Sequence, residues 1–163
     1  MSTVIGEVRD EASLAACVPV VRAAFRTVAD QWHLTEEDVP SHPAFITLDR
    51  LLEARREGVR TFTLVDGQRL VGCVSVRQSG DGGFRVERLA VLPEQRHRGH
   101  GAALMDFACA QVRAAGGRVA AIGIVGHHQV LKRWYEAQGF AEVGERAFPH
   151  LPFTVCLMAK RVR

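Results

Sequence analysis

Two arginines, two histidines and two glycines crowd one short stretch, Leu92-Pro93-Glu94-Gln95-Arg96-His97-Arg98-Gly99-His100-Gly101-Ala102-Ala103-Leu104. An apolar run ends at Pro93, a basic loop follows, and the glycines open a segment of helical periodicity. The first backbone N–H groups of a helix have no partner within it, and the helix dipole adds partial positive charge there. Glycine lets an anion approach those groups. Arg96 and Arg98 add full charges, and His97 and His100 add further donors. The chemistry this equips is the holding of a pyrophosphate. A P-loop would need a lysine followed by a hydroxyl after its last glycine, and neither is present. A Rossmann fingerprint would need a third glycine where Leu104 stands.

The remaining reactive side chains are more scattered. Seven histidines invite a metal site, but His97, His100, His127 and His128 offer no H-x-x-x-H on one helix face and no completing cysteine or carboxylate, so no metal is expected. Cys17, Cys73, Cys109 and Cys156 contain no C-x-x-C pair and each lies in an apolar run, which reads as buried free thiols in a reducing compartment.

The elements that must position the basic loop follow from periodicity. A short strand at Thr3-Val4-Ile5 precedes an apolar series, Leu14, Cys17, Val18, Val21, Phe25 and Val28, with helical spacing. Pro19 inside that series predicts a kink or a late start. A second helix is predicted from the N-cap Thr47 to Gly58. From Arg60 the period becomes that of strands: 61–65, 70–76 and 84–92, joined by the turns Asp66-Gly67-Gln68 and Ser79-Gly80-Asp81-Gly82-Gly83, form an antiparallel meander. Beyond it, helices near 101–115 and 128–138 alternate with strands at 119–125, 140–145 and 153–159. The fold class is therefore α+β, a mixed and mostly antiparallel central sheet with helices on both faces.

Length and composition agree. A chain of 163 residues, 47% hydrophobic and 24% charged, is expected to form a single domain over residues 1–163 with one buried core and no need of disulfides. The formal charge of +3 is too weak and too dispersed to argue for nucleic acid. No stretch reads as a membrane span and the amino terminus lacks a signal-peptide pattern, so a cytoplasmic protein without membrane attachment is expected.

The order Arg96-x-x-Gly99-x-Gly101 after Leu89-Ala90-Val91-Leu92-Pro93 resembles motif A of the GNAT superfamily of acyl-coenzyme A-dependent N-acyltransferases, and Trp134-Tyr135-Glu136-Ala137-Gln138-Gly139-Phe140 resembles its motif B. The resemblance implies that Arg96 to Ala102 hold the pyrophosphate of acetyl-coenzyme A. It also implies that the backbone of Leu89, Ala90 and Val91 pairs with the pantetheine amides and polarises the acyl carbonyl. Tyr135 matches the tyrosine that assists the departing thiolate. His128 stands where many members carry asparagine and is the expected donor to the pantetheine arm.

For the base that takes the amine proton, alternation along the strand puts Glu87 on the face of Leu89 and Val91, and many relatives carry a carboxylate there. His150, between Pro149 and Leu151-Pro152, is the rival base because an ordinary imidazole titrates near ~6.5. The acceptor is expected between Trp32–Phe45 and Glu145–Phe153, where Glu36, Glu37 and Asp38 either attract a cationic amine or start a helix after Thr35. The implied function is acetyl transfer from acetyl-coenzyme A, as cosubstrate, to a primary amine of a small molecule or a free amino terminus by direct attack in a ternary complex. The alternative is a non-catalytic acyl-coenzyme A sensor, and a homodimer is a candidate assembly.

Overall fold

A computed structural model describes residues 2–162. Its frame is a seven-stranded sheet in the order β1-β2-β3-β4-β5-β7-β6. The strands are β1 Thr3–Glu7, β2 Arg60–Asp66, β3 Arg69–Gln78, β4 Phe84–Val91, β5 Val119–Val125, β6 Ala141–Ala147 and β7 Thr154–Arg161. Every neighbouring pair is antiparallel except β4 and β5. The helices are α1 Glu11–Gln31, α2 Leu48–Arg56, α3 His100–Ala114 and α4 Gln129–Ala137. The expected mixed, mostly antiparallel sheet with helices on both faces is what forms.

Two apolar layers fix which helix lies where. On one face Phe62, Leu64, Val74 and Met158 of the sheet meet Leu104, Met105 and Val112 of α3 and Tyr135 of α4. On the other, Cys73 and Ala90 meet Leu14, Cys17 and Val21 of α1 and Leu51 of α2. All four cysteines are free and buried.

Local signals account for most element ends. Asp10 caps α1 by accepting from the Ser13 N–H at 2.7 Å, and Thr47 caps α2 by accepting from the Arg50 N–H at 3.3 Å. Gly58 follows α2 with φ +94°, the left-handed conformation that glycine adopts freely. Pro19 does not delay α1, which begins at Glu11 and runs past it, held by its buried face. α1 is also more apolar than the sequence reading allowed: one 18-residue window reaches a mean hydropathy of 1.4, enough by length and composition for a membrane span. Here that apolar face covers the sheet. Thr35 does not start a helix; its hydroxyl accepts from the Asp38 N–H at 3.1 Å and closes a single turn.

Candidate functional site

The pairing of β4 with β5 is confined to two positions, Phe84 with Ala120 and Arg85 with Ala121. Beyond them the two strands share no ladder, and the backbone of β4 from Val86 to Val91 has a free edge toward β5. Leu89, Ala90 and Val91 lie on this edge. Ala90 is buried in the layer under α1, while Leu89 and Val91 rest on the layer under α3.

After β4 the chain makes a short 3₁₀ turn, Pro93–Gln95, and reaches α3 through Arg96, His97, Arg98 and Gly99. Gly99 is the N-cap with φ +82° and no atom within 4 Å of where a Cβ would stand, so its backbone conformation selects glycine. Gly101 has a different reason: a Cβ there would lie 3.2 Å from Cζ2 of Trp134, so the second glycine admits the indole of α4 against the start of α3. No side chain caps the helix, and its first N–H groups, those of His100, Gly101 and Ala102 among them, lie beside the exposed Arg98 and Gly99.

The structure corrects three expectations about side chains here. Arg96 does not project from the loop; its guanidinium donates to the Ala24 carbonyl at 2.9 Å and Thr27 Oγ1 at 3.3 Å, tying the loop to α1, and burial lowers its pKa. His100 is turned inward and only 7% exposed, with Nε2 3.9 Å from Oδ2 of Asp66 and unbonded, so any anion contact from it must come from its backbone. His97 is exposed and takes a left-handed φ of +63°.

The third correction concerns Glu87. Cys73 pairs with Ala90 but Ser75 pairs with Glu87, so β4 carries one extra residue, a bulge at Arg88–Leu89, where Arg88 adopts φ +50°. The bulge breaks the alternation. Glu87 lies on the face of Ser75 and Cys73, toward α1 and α2, opposite to Leu89 and Val91. Its Oε1 accepts from Arg77 Nε at 2.9 Å, and its Oε2 is 3.8 Å from Nη1 of Arg88. That Nη1 is buried without a hydrogen-bond partner among the described residues, and burial, opposed by the Glu87 charge, lowers the Arg88 pKa. Sequence reasoning missed Arg88 because alternation carries no sign of a bulge.

At the open end of β5, His128 caps α4: its Nδ1 accepts from the Leu131 N–H at 3.3 Å, which leaves Nε2 as the donor. Burial lowers the His128 pKa, which keeps the ring neutral as this cap requires. Tyr135, one helical turn or two further on, is buried between Trp134 at 5.0 Å and Phe140 at 5.7 Å in edge-on contacts. Burial pushes its phenol well above the ordinary value, so it keeps its proton.

A groove of about 400 Å³ opens between the end of α1 and the β6–β7 connection, lined by Trp32, Leu34, Asp38, Pro149, His150 and Leu151 among others. The two segments expected to admit the acceptor are the ones that form it. His150 is exposed on this wall, 5.7 Å from the Phe148 ring. Trp32 sits 6.1 Å and 6.2 Å from the rings of His127 and His128, so it joins the groove to the open end of β5. In the sequence it stood out only as an aromatic residue at a helix end.

Comparison with known proteins agrees with this arrangement. Among curated proteins no sequence matches the chain. Its fold is similar to that of a protein assigned to the GNAT family from Desulfovibrio desulfuricans, with TM-score 0.77 and 18% identity, covering 99% of this chain and 100% of that one. It is likewise similar to YncA of Salmonella typhimurium, whose structure holds acetyl-CoA, with TM-score 0.73, 19% identity and coverage of 100% and 95%. The PaiA N-acetyltransferase of Thermoplasma acidophilum, in complex with coenzyme A, gives TM-score 0.75, 16% identity and coverage of 99% of both chains. The family model of the acetyltransferase (GNAT) domain matches residues 57–142, just over half of the sequence, and the chain belongs to that family.

Proposed function

We propose that the protein transfers the acetyl group of acetyl-coenzyme A to a primary amine by direct attack within a ternary complex. The observation that carries this reading is the free edge of β4 running into the uncapped start of α3. One continuous row of unpaired backbone groups suits a ligand with amides along its arm and a pyrophosphate at its end. Arg98, exposed beside Gly99, supplies a full charge for the phosphates, and the backbone N–H groups of His100, Gly101 and Ala102 supply donors. Leu89, Ala90 and Val91 contribute backbone to the arm and the acyl carbonyl. His128 Nε2 is a further donor from α4.

The amine must be neutral when it attacks. Its lone pair forms the C–N bond to the acetyl carbon, the C–S bond breaks with its electron pair on sulfur, and the surplus proton on nitrogen passes to a base. His150 stands on the groove wall for that task, while Glu87 at the bulge has one oxygen committed to Arg77. Tyr135 serves the thiolate. A phenol is a weaker acid than a thiol, about 10 against about 8.5 in ordinary surroundings, and burial widens the gap. We therefore assign Tyr135 a hydrogen bond to the developing thiolate rather than complete transfer of its proton. Burial raises the thiols of Cys109 and Cys156, which makes them poor nucleophiles and supports direct transfer without an acyl-enzyme.

Thiol release from acetyl-coenzyme A across a panel of primary amines, with the acetylated product identified by mass, tests the reading. Turnover on at least one amine class is expected. Binding of acetyl-coenzyme A with no release on any amine would support the sensor instead.

A further inference from the structure

The groove's chemistry narrows the acceptor, on the premise that it is where the acceptor binds. Its walls are apolar or aromatic at Trp32, Leu34, Pro149, Leu151 and Pro152, and a volume of about 400 Å³ suits a small molecule or the first residues of a peptide. Asp38 is the one charged side chain in the lining; no arginine or lysine lines it, although the chain has 21 of them. Such a groove attracts an ammonium group and offers nothing to an acid.

The second observation is Trp32. Its indole Nε1–H is buried and has no hydrogen-bond partner among the described residues. Buried donors are almost always satisfied, and one left unsatisfied is destabilising until a partner arrives. The position is fixed by the backbone. Trp32 is the C-cap of α1, its N–H donates to the Val28 carbonyl at 3.0 Å, and the next residue, His33, takes a left-handed φ of +54° where glycine is usual. A non-glycine residue held in that conformation reverses the chain and brings Leu34 and Asp38 to the same groove as Trp32.

We propose that the acceptor is an α-amino carbonyl compound with an apolar side chain, a peptide amino terminus or an α-amino amide, and that Trp32 recognises its carbonyl oxygen through the indole N–H. The ammonium group is drawn by Asp38, and the apolar side chain rests on Leu34 and Leu151. A site built to donate to a substrate oxygen discriminates against the analogue that lacks it.

The test compares phenylalaninamide with 2-phenylethylamine, which share an amine and a ring and differ in the carboxamide. Thiol release by the full chain is measured for wild type, Trp32→Phe and Asp38→Asn. Wild type should favour phenylalaninamide in kcat/KM, and the ratio between the two amines should fall about ten-fold in Trp32→Phe, the loss of about one hydrogen bond. Asp38→Asn should raise KM for both amines. A merely structural Trp32 would lower both rates and leave the ratio unchanged, which overturns the proposal. If Trp32→Phe does not fold, the wild-type preference decides alone, and equal use of the two amines overturns it. Acetylation of acidic amines in preference to both overturns it while leaving acetyl transfer standing. No turnover on any amine, with acetyl-coenzyme A bound, overturns the acceptor reading beneath it as well.

Discussion

Tyr135 shows how burial decides what a side chain contributes. Its ring is enclosed by Trp134 and Phe140, and its phenol is held protonated. Tyr135→Phe keeps the ring, so stability should barely change, and acetyl-coenzyme A affinity should hold. Turnover should fall between about ten-fold and about 10²-fold, since the hydrogen bond to the thiolate exists mainly in the transition state. Wild-type turnover where chemistry limits the rate would remove Tyr135 from the mechanism. The two candidate bases separate in the same assay: with His150 taking the proton, His150→Gln should flatten the acidic limb of the pH–rate profile, and Glu87→Gln should leave it in place. The opposite pattern would return the role to Glu87. Residue types and spacings made Tyr135, Arg98 and Gly99 legible in the sequence. The orientations of Arg96, His100 and Glu87 were not, because each depends on what another segment brings: the Ala24 carbonyl, Asp66, and the bulge at Arg88.

Among the elements, the union of the phosphate loop with α1 has the clearest consequence. Arg96 spans from the loop to Ala24 and Thr27, so the loop's shape depends on a helix far away in sequence. Arg96→Ala and Arg96→Lys should destabilise the fold alike, by about 1 kcal/mol or roughly 2–4 °C in Tm, because lysine keeps the charge but cannot reach both acceptors. A lysine variant as stable as wild type would mean that the charge, and not the tie, matters. The strands and helices themselves were legible, since their periods of two and of 3.6 are written in the order of apolar residues. The uninterrupted α1 through Pro19 and the single turn at Thr35 were not. In the first, burial of a long apolar face outweighs one missing hydrogen bond; in the second, a good capping residue has no apolar stripe after it to bury.

At the scale of the whole molecule, stability and function both depend on groups that the fold keeps in one protonation state. His42 is 8% exposed, accepts from the Ala44 N–H through Nδ1 at 3.2 Å, and burial lowers its pKa. The unfolded chain therefore binds more protons than the folded one once the pH drops below about 6.5, so this stabilisation is complete above that value and is lost as the pH falls toward the folded value. The slope from one histidine is at most about 1.4 kcal/mol per pH unit. Tm should be level near neutrality and decline from about pH 6.5 downward, and His42→Asn, which retains an acceptor without the titration, should lessen the decline. The central claim is that the open edge of β4 and the start of α3 bind acetyl-coenzyme A, and calorimetric titration tests it most directly. The account predicts binding at one site per chain, with affinity reduced about ten-fold or more in folded Arg98→Glu, where an attractive charge at the phosphates becomes a repulsive one. Equal affinity in the two proteins would contradict it.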